Sequence, residues 1–174
     1  NTLAPNERAA VENARGDDDA KEDVFRRHWS LKEALVKAMG VGLAMELNRA
    51  DFACEDGSDR SGTPSRSPGG VETATLRLDG ELKTQWRFFM QPLGVSPSGN
   101  GHGRHWVTVS RGPFSDVTDA NGEFSATFRR TRFDEHEWRE AVDAPSPLFS
   151  TITVSDLVPE GLRGKFEESG GDVY

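Results

Sequence analysis

The stretch "ETATLRLDGELKTQWRFFM", Glu72 to Met90, constrains this chain more than any other. Two alternating runs flank Asp79-Gly80, and a type I′ turn needs positive φ at both central residues, which this pair tolerates well. In the second run Leu82, Trp86, Phe88 and Met90 share one face, while Glu81, Lys83, Gln85 and Arg87 share the other. That is the pattern of a half-buried strand, so the chain must build an antiparallel sheet with one face covered. "HWVTVS" predicts a further strand, "GEFSATFRR" another with Phe124, Ala126 and Phe128 on one face, and "STITV" a last one.

Helical periodicity occupies Ala20 to Ala50. "SLKE", Ser30 to Glu33, has the spacing of a capping box, and Leu31, Ala34, Leu35, Ala38 and Met45 follow at helical intervals. Gly40 and Gly42 fall inside this run, where each costs roughly 1 kcal/mol against alanine. They are read as a closely packed or subunit-contacting face, or as a bend between two shorter helices. "FDEHEWREAV" predicts a short helix with Asp134 as N-cap, ended by Pro145 and Pro147. The first 20 residues are polar, and their run of three aspartates reads as a solvated segment without function. The expected organisation is a helical segment over 1–54, a Gly/Ser/Pro linker over 55–71, a β-rich domain over 72–163 and a polar, frayed tail over 164–174. The fold class is α+β: N-terminal helices, then a mainly antiparallel sheet or small sandwich with one packed helix.

Composition narrows the function classes. The 174 residues suit one domain, and 34% apolar content with 18 glycines approaches the globular range. Asp and Glu number 29 against 21 Lys and Arg, a net charge of −8 that argues against nucleic acid as partner. Only Lys21, Lys32, Lys37, Lys83 and Lys165 are lysines, a usage that fits a GC-rich genome and a salty cytoplasm. No apolar run is long enough to span a bilayer, and no signal-peptide pattern is present, so no membrane partner and a cytoplasmic or virion location are expected. The chain opens on Asn1, which fits a removed or unnumbered leading segment.

Candidate sites are few. Cys54 alone makes no disulfide, and at the end of the helical segment it reads as a small core residue. His102 and His105 stand three apart in "GNGHGRHW", two possible metal ligands where zinc wants three or four; His28 and His136 lie in predicted helices. The stretch is read as a mobile connection leading into the strand at Trp106. Asp79, Glu81 and Lys83 are similar in spacing to the core of PD-(D/E)xK nucleases, whose carboxylates hold a divalent ion. As turn and solvent-face residues they need no such role. Asp116, Asp119, Asn121 and Glu123 offer oxygen ligands but lack EF-hand spacing. No catalytic triad, P-loop or HExxH pattern is present, and no cofactor is expected.

Arg129, Arg130 and Arg132 form a basic patch that could meet an acidic face bearing Glu135, Glu137 and Glu140 on a second subunit, a head-to-tail pairing. Thr118 to Phe124, "TDANGEF", resembles the hairpin of carboxypeptidase-regulatory-like, transthyretin-like β-sandwich modules, which implies a binding module. The order of elements also resembles the connector and tail-completion proteins of tailed viruses. The reading that follows is a non-catalytic structural or assembly subunit, such as a virion head-tail or tail component, and not an enzyme, with protein subunits as partners in a homo-oligomer or larger assembly. Its interface would use Gly40, Gly42, Arg129, Arg130, Arg132, Glu135 and Glu137. The alternatives are a metal-dependent hydrolase or nuclease using His102, His105 and carboxylates near Asp79 and Glu81, and a transthyretin-like ligand-binding module.

Overall fold

A computed structural model describes residues 2–55, 71–93, 105–118, 135–145 and 152–171. Two helices, α1 (Pro5–Glu12) and α2 (Asp18–Met39), precede a sheet of β1 (Ala50–Glu55), β2 (Glu72–Leu78), β3 (Glu81–Leu82), β4 (Arg87–Leu93) and β5 (His105–Arg111). The strand order is β1-β2-β4-β5, all pairs antiparallel, with β3 beside β2. Helices α3 (Glu135–Asp143), α4 (Val154–Leu157) and α5 (Arg163–Glu168) follow. The α+β class is as the sequence implies.

The core lies between α2 and the sheet. Leu31 and Leu35 from the helix meet Ala50, Phe52, Ala74, Leu76, Phe88 and Met90 from alternate strand positions, closed by Trp86. Phe52 meets Phe88 edge to face at 4.9 Å, a favoured geometry for aromatic rings. Helix and strand periods coincide along β5. Trp106 Nε1 donates to Asp23 at 3.0 Å, Ser30 and Thr108 hydroxyls pair at 2.6 Å, and Ser110 Oγ donates to the Ala34 carbonyl at 3.0 Å. Alternate strand residues thus bond one stripe of α2 and fix its axis over the sheet.

The Asp79-Gly80 turn forms as read, with φ of 55° and 82°. The strand after it does not run unbroken. β3 is two residues long, Trp86 N–H donates to the Lys83 carbonyl at 3.2 Å in a turn, and pairing resumes at Arg87. Trp86, Phe88 and Met90 are buried as expected, but Leu82 lies before the turn and is exposed.

Several local expectations are corrected. α2 is continuous through Ser30–Glu33, so "SLKE" caps nothing; the N-cap is Asp17, which accepts from Ala20 N–H at 3.2 Å. Asp18 and Asp19 occupy the first turn, where negative charge complements the helix dipole. The three-aspartate run is therefore a helix start. The helix stops at Met39 because Gly40 turns left-handed, φ 69°, and Gly42 (φ 56°) lies in a 3-10 turn, Gly42–Ala44; neither glycine is inside a helix. Cys54 sits on β1, half-buried against the core. Thr153 and Val154 do not form a strand: the Thr153 hydroxyl accepts from Asp156 N–H and caps α4. The tail beyond Gly164 includes most of α5. The Phe124–Phe128 strand and the Asp134 cap lie outside the described residues.

Candidate functional site

The sequence "WSLKEALVK", Trp29 to Lys37, divides by helical geometry into two faces. Leu31, Lys32 and Leu35 turn inward and are wholly buried. Trp29, Glu33, Val36 and Lys37 turn away from the sheet. Trp29 stacks on Phe25 one turn earlier, centroids 6.1 Å apart, and both stay more than a third exposed. Lys37 Nζ lies 3.9 Å from Glu33, an i,i+4 pair at the open end of the helix.

After Gly40 the chain doubles back through two 3-10 turns, Gly42–Ala44 and Leu47–Arg49, and faces this outward side. Between the two walls runs a groove of about 580 Å³. Trp29, Glu33 and Val36 form one side; Leu43, Met45, Glu46, Leu47 and Asn48 form the other, with Thr2 at one end. Leu43 is fully exposed. The groove thus presents aromatic and aliphatic surface, two carboxylates and a neighbouring ammonium. Such a mixture suits a ligand with an uncharged arm and an anionic end.

Two features hold the second wall. Arg49 grips Asp79 with both ends of its guanidinium, Nε at 2.7 Å and Nη2 at 2.6 Å, and this pairing holds the Asp79 carboxyl below its usual value. Beneath the groove, Lys32 Nζ reaches Glu7 at 2.8 Å and the Leu47 carbonyl at 2.7 Å, and also donates to the Ala50 carbonyl. Burial lowers the Lys32 pKa, while Glu7 acts to raise it.

Among the described residues, those singled out from sequence form no metal-ligating cluster. His105 opens β5 at the surface opposite Leu93, and His102 lies outside the described residues. Asp79 is committed to Arg49, and Glu81 to Lys83 at 2.6 Å. Asp116 accepts from Trp86 Nε1 at 2.9 Å, while Asp119, Asn121, Glu123, Arg129, Arg130 and Arg132 are outside the described residues. Glu137 lies exposed on α3, which Glu135 begins. Gly40 packs under the Thr118 carbonyl, and Gly42 borders the groove. Among the described residues no group of three or more His, Cys, Asp or Glu side chains could hold a metal ion. None of their helices is long and apolar enough to cross a membrane. The groove residues Trp29, Glu33 and Glu46, and Lys37 beside Glu33, were missed. The available signal was a tryptophan set with a Glu–Lys pair on the polar side of an amphipathic helix, where a structural helix has no need of one.

The family model of the 4'-phosphopantetheinyl transferase superfamily matches residues 1–110, from before α1 nearly to the end of β5. The chain belongs to this superfamily. It is similar to the L-aminoadipate-semialdehyde dehydrogenase-phosphopantetheinyl transferase of Rattus norvegicus, 40% identical over 73 residues, 41% of this chain and 21% of the relative. The Xenopus laevis protein of the same name is 54% identical over 35 residues, 20% of this chain and 12% of the relative. A phosphopantetheinyl transferase of Thraustochytrium sp. is 38% identical over 69 residues, 40% and 19%. The chain spans about a fifth of the length of these broader matches.

These findings overturn the functional expectation. A superfamily of transferases replaces the non-catalytic assembly or virion subunit, the metal-dependent hydrolase and the transthyretin-like module, and the expectation that the chain is not an enzyme falls with them. Subunit partners in a structural assembly fall too. The resemblance at Thr118–Phe124 rested on a turn sequence, which many β-proteins need for the same φ values.

Proposed function

We propose that this chain supplies the α2 groove of a phosphopantetheinyl transferase, with coenzyme A as donor and a carrier protein as acceptor. The observation that carries this reading is the family match over residues 1–110, which contains both walls of the groove. The ligand chemistry is consistent with it. A phosphopantetheinyl group joins an uncharged arm to a phosphate; Trp29, Val36, Leu43 and Met45 offer the arm an apolar bed, and Lys37 offers the phosphate a cation. In the transfer, the bond from phosphorus to the donor breaks as one to the acceptor forms. Catalysis of such a step rests mostly on positioning and charge. In this reading Glu33, which lines the groove beside Lys37, takes the acceptor's proton.

The test combines calorimetric titration with coenzyme A and mass spectrometry of an apo carrier protein incubated with the chain and coenzyme A. Binding is expected to weaken about tenfold in Lys37→Ala, the loss of one charge-assisted contact worth about 1.4 kcal/mol. The carrier is expected to gain the mass of one phosphopantetheinyl group. A folded chain that neither binds coenzyme A nor modifies the carrier overturns the reading.

A further inference from the structure

Lys32 directly precedes Glu33, yet it points the opposite way, beneath the groove. Its side chain and that of Glu7 are both fully buried. All three ammonium protons are used, on Glu7, on the Leu47 carbonyl and on the Ala50 carbonyl. Glu7 is equally committed: Oε2 also accepts from Ala4 N–H at 2.8 Å, and Oε1 accepts from Phe52 N–H at 3.0 Å. One ion pair thus joins α1, α2, the groove's second wall and β1, at one end of the described strand order.

Stability alone gives a weak reason for this arrangement, because a buried ion pair is often replaced by apolar side chains without loss. Directed bonds do what apolar packing cannot: they fix one segment's height and register over another. Here the segment fixed is Leu47, a lining residue of the groove, and the helix that fixes it carries Trp29 and Glu33 on its other face. We infer that Glu7 and Lys32 are positioning residues, which set the separation of the groove's two walls and so its fit to ligand. The functional half of this inference rests on the reading of the groove as the phosphopantetheinyl site. α1 is then a strap for the site, acting through a single carboxylate.

Three variants of the full chain, Glu7→Gln, Lys32→Met and the double variant, are compared by thermal unfolding, hydrogen exchange and coenzyme A titration. Lys32→Met strands the Glu7 carboxylate and is expected to lower the melting temperature sharply; the double variant is expected to regain most of that loss. Exchange at Ala44 and Arg49, whose amides are held by Val41 and Glu46, is expected to stay at least tenfold faster than in the parent in both Lys32→Met and the double variant, with β2 and β4 unchanged. Coenzyme A affinity is expected to remain about tenfold weaker in the double variant despite its regained stability. Native exchange and native affinity in the double variant would overturn the inference and leave the pair a purely structural one. If the parent chain does not bind coenzyme A, the functional reading fails by itself, and the exchange pattern still decides whether the pair holds the wall. If Lys32→Met does not fold, Glu7→Gln and the double variant carry the comparison.

Discussion

Gly40 and Gly42 give a matched pair of perturbations that separates the observed helix end from a helix running through both. Gly40 has φ 69° and Gly42 φ 56°, so alanine at either position enters the left-handed region, at about 1–2 kcal/mol. The lower entropy of the unfolded alanine chain offsets about 0.4–1 kcal/mol of this at both sites. Their surroundings differ. A Cβ on Gly42 meets nothing within 4 Å, whereas one on Gly40 falls 2.7 Å from the Thr118 carbonyl oxygen. Thr118 is backbone, and its N–H donates to the Met39 carbonyl at 2.7 Å, so relieving the clash moves a residue that closes the end of α2. Losing that bond adds about 0.5–1.5 kcal/mol. Gly40→Ala should therefore destabilise by about 2 kcal/mol and Gly42→Ala by about 1 kcal/mol or less. Urea unfolding followed by tryptophan fluorescence resolves this, since 2 kcal/mol moves the midpoint by about 1 M for a typical slope. Inside a helix each alanine would instead stabilise by about 1 kcal/mol. A raised midpoint in Gly40→Ala, or equal losses in the two variants, would refute the argument.

Gly112→Ala would drive a Cβ into the Trp86 indole, so it is expected to displace that ring from the core and reduce near-ultraviolet dichroism, with a stability loss of about 1–3 kcal/mol in chemical unfolding. Asp79 has its folded pKa lowered, first by the Arg49 hydrogen bond. Its stabilisation is therefore complete above the unfolded value near 3.9 and lost as pH falls through the folded value. Asp79→Asn should lower stability at pH 7 and flatten its fall below about pH 4, and an acid limb identical to the parent's would sink this assignment. Phe88→Ala removes a fully buried ring that contacts Phe52 and Trp86, and should cost about 3–5 kcal/mol in the same unfolding assay.

What could be read from the sequence was what local chemistry decides alone. The Asp79-Gly80 turn needs only two φ values, and the sequence supplies residues that tolerate them. The end of α2 was harder, because a glycine that stops a helix and one that lets a partner approach look alike until the φ angle is known. β1 was hidden although "ADFACE" alternates: Ala50, Phe52 and Cys54 fall on one face, but the run continued an apparent helix and lacked β-branched residues. Lys32 was illegible for a different reason. Apolar periodicity picks out Leu31 and Leu35, but a lysine joins the core only when a carboxylate meets it there, and Glu7 lies in a segment that looked like solvated tail. Asp79 and Glu81, singled out by chemical type, were not free for a site because Arg49 and Lys83 already use their charges in a turn and along a strand.

The two faces of α2 make separable claims on the protein. Inward substitutions change stability and groove geometry together, because Leu31, Lys32 and Leu35 lie in the same layer that anchors Leu47 and Ala50. Outward substitutions need not. The Lys37 side chain is 77% exposed, and an exposed i,i+4 pair with Glu33 contributes at most about 0.3–0.5 kcal/mol to folding. On the proposed reading, a charge-assisted contact from Lys37 to a bound phosphate would be worth about 1.4 kcal/mol, several times that. Lys37→Ala is therefore the substitution whose binding loss should most exceed its folding loss. If the two losses proved equal, Lys37 would belong to the helix and not to the groove, and the phosphate would have to be met by another cation of this net-acidic chain.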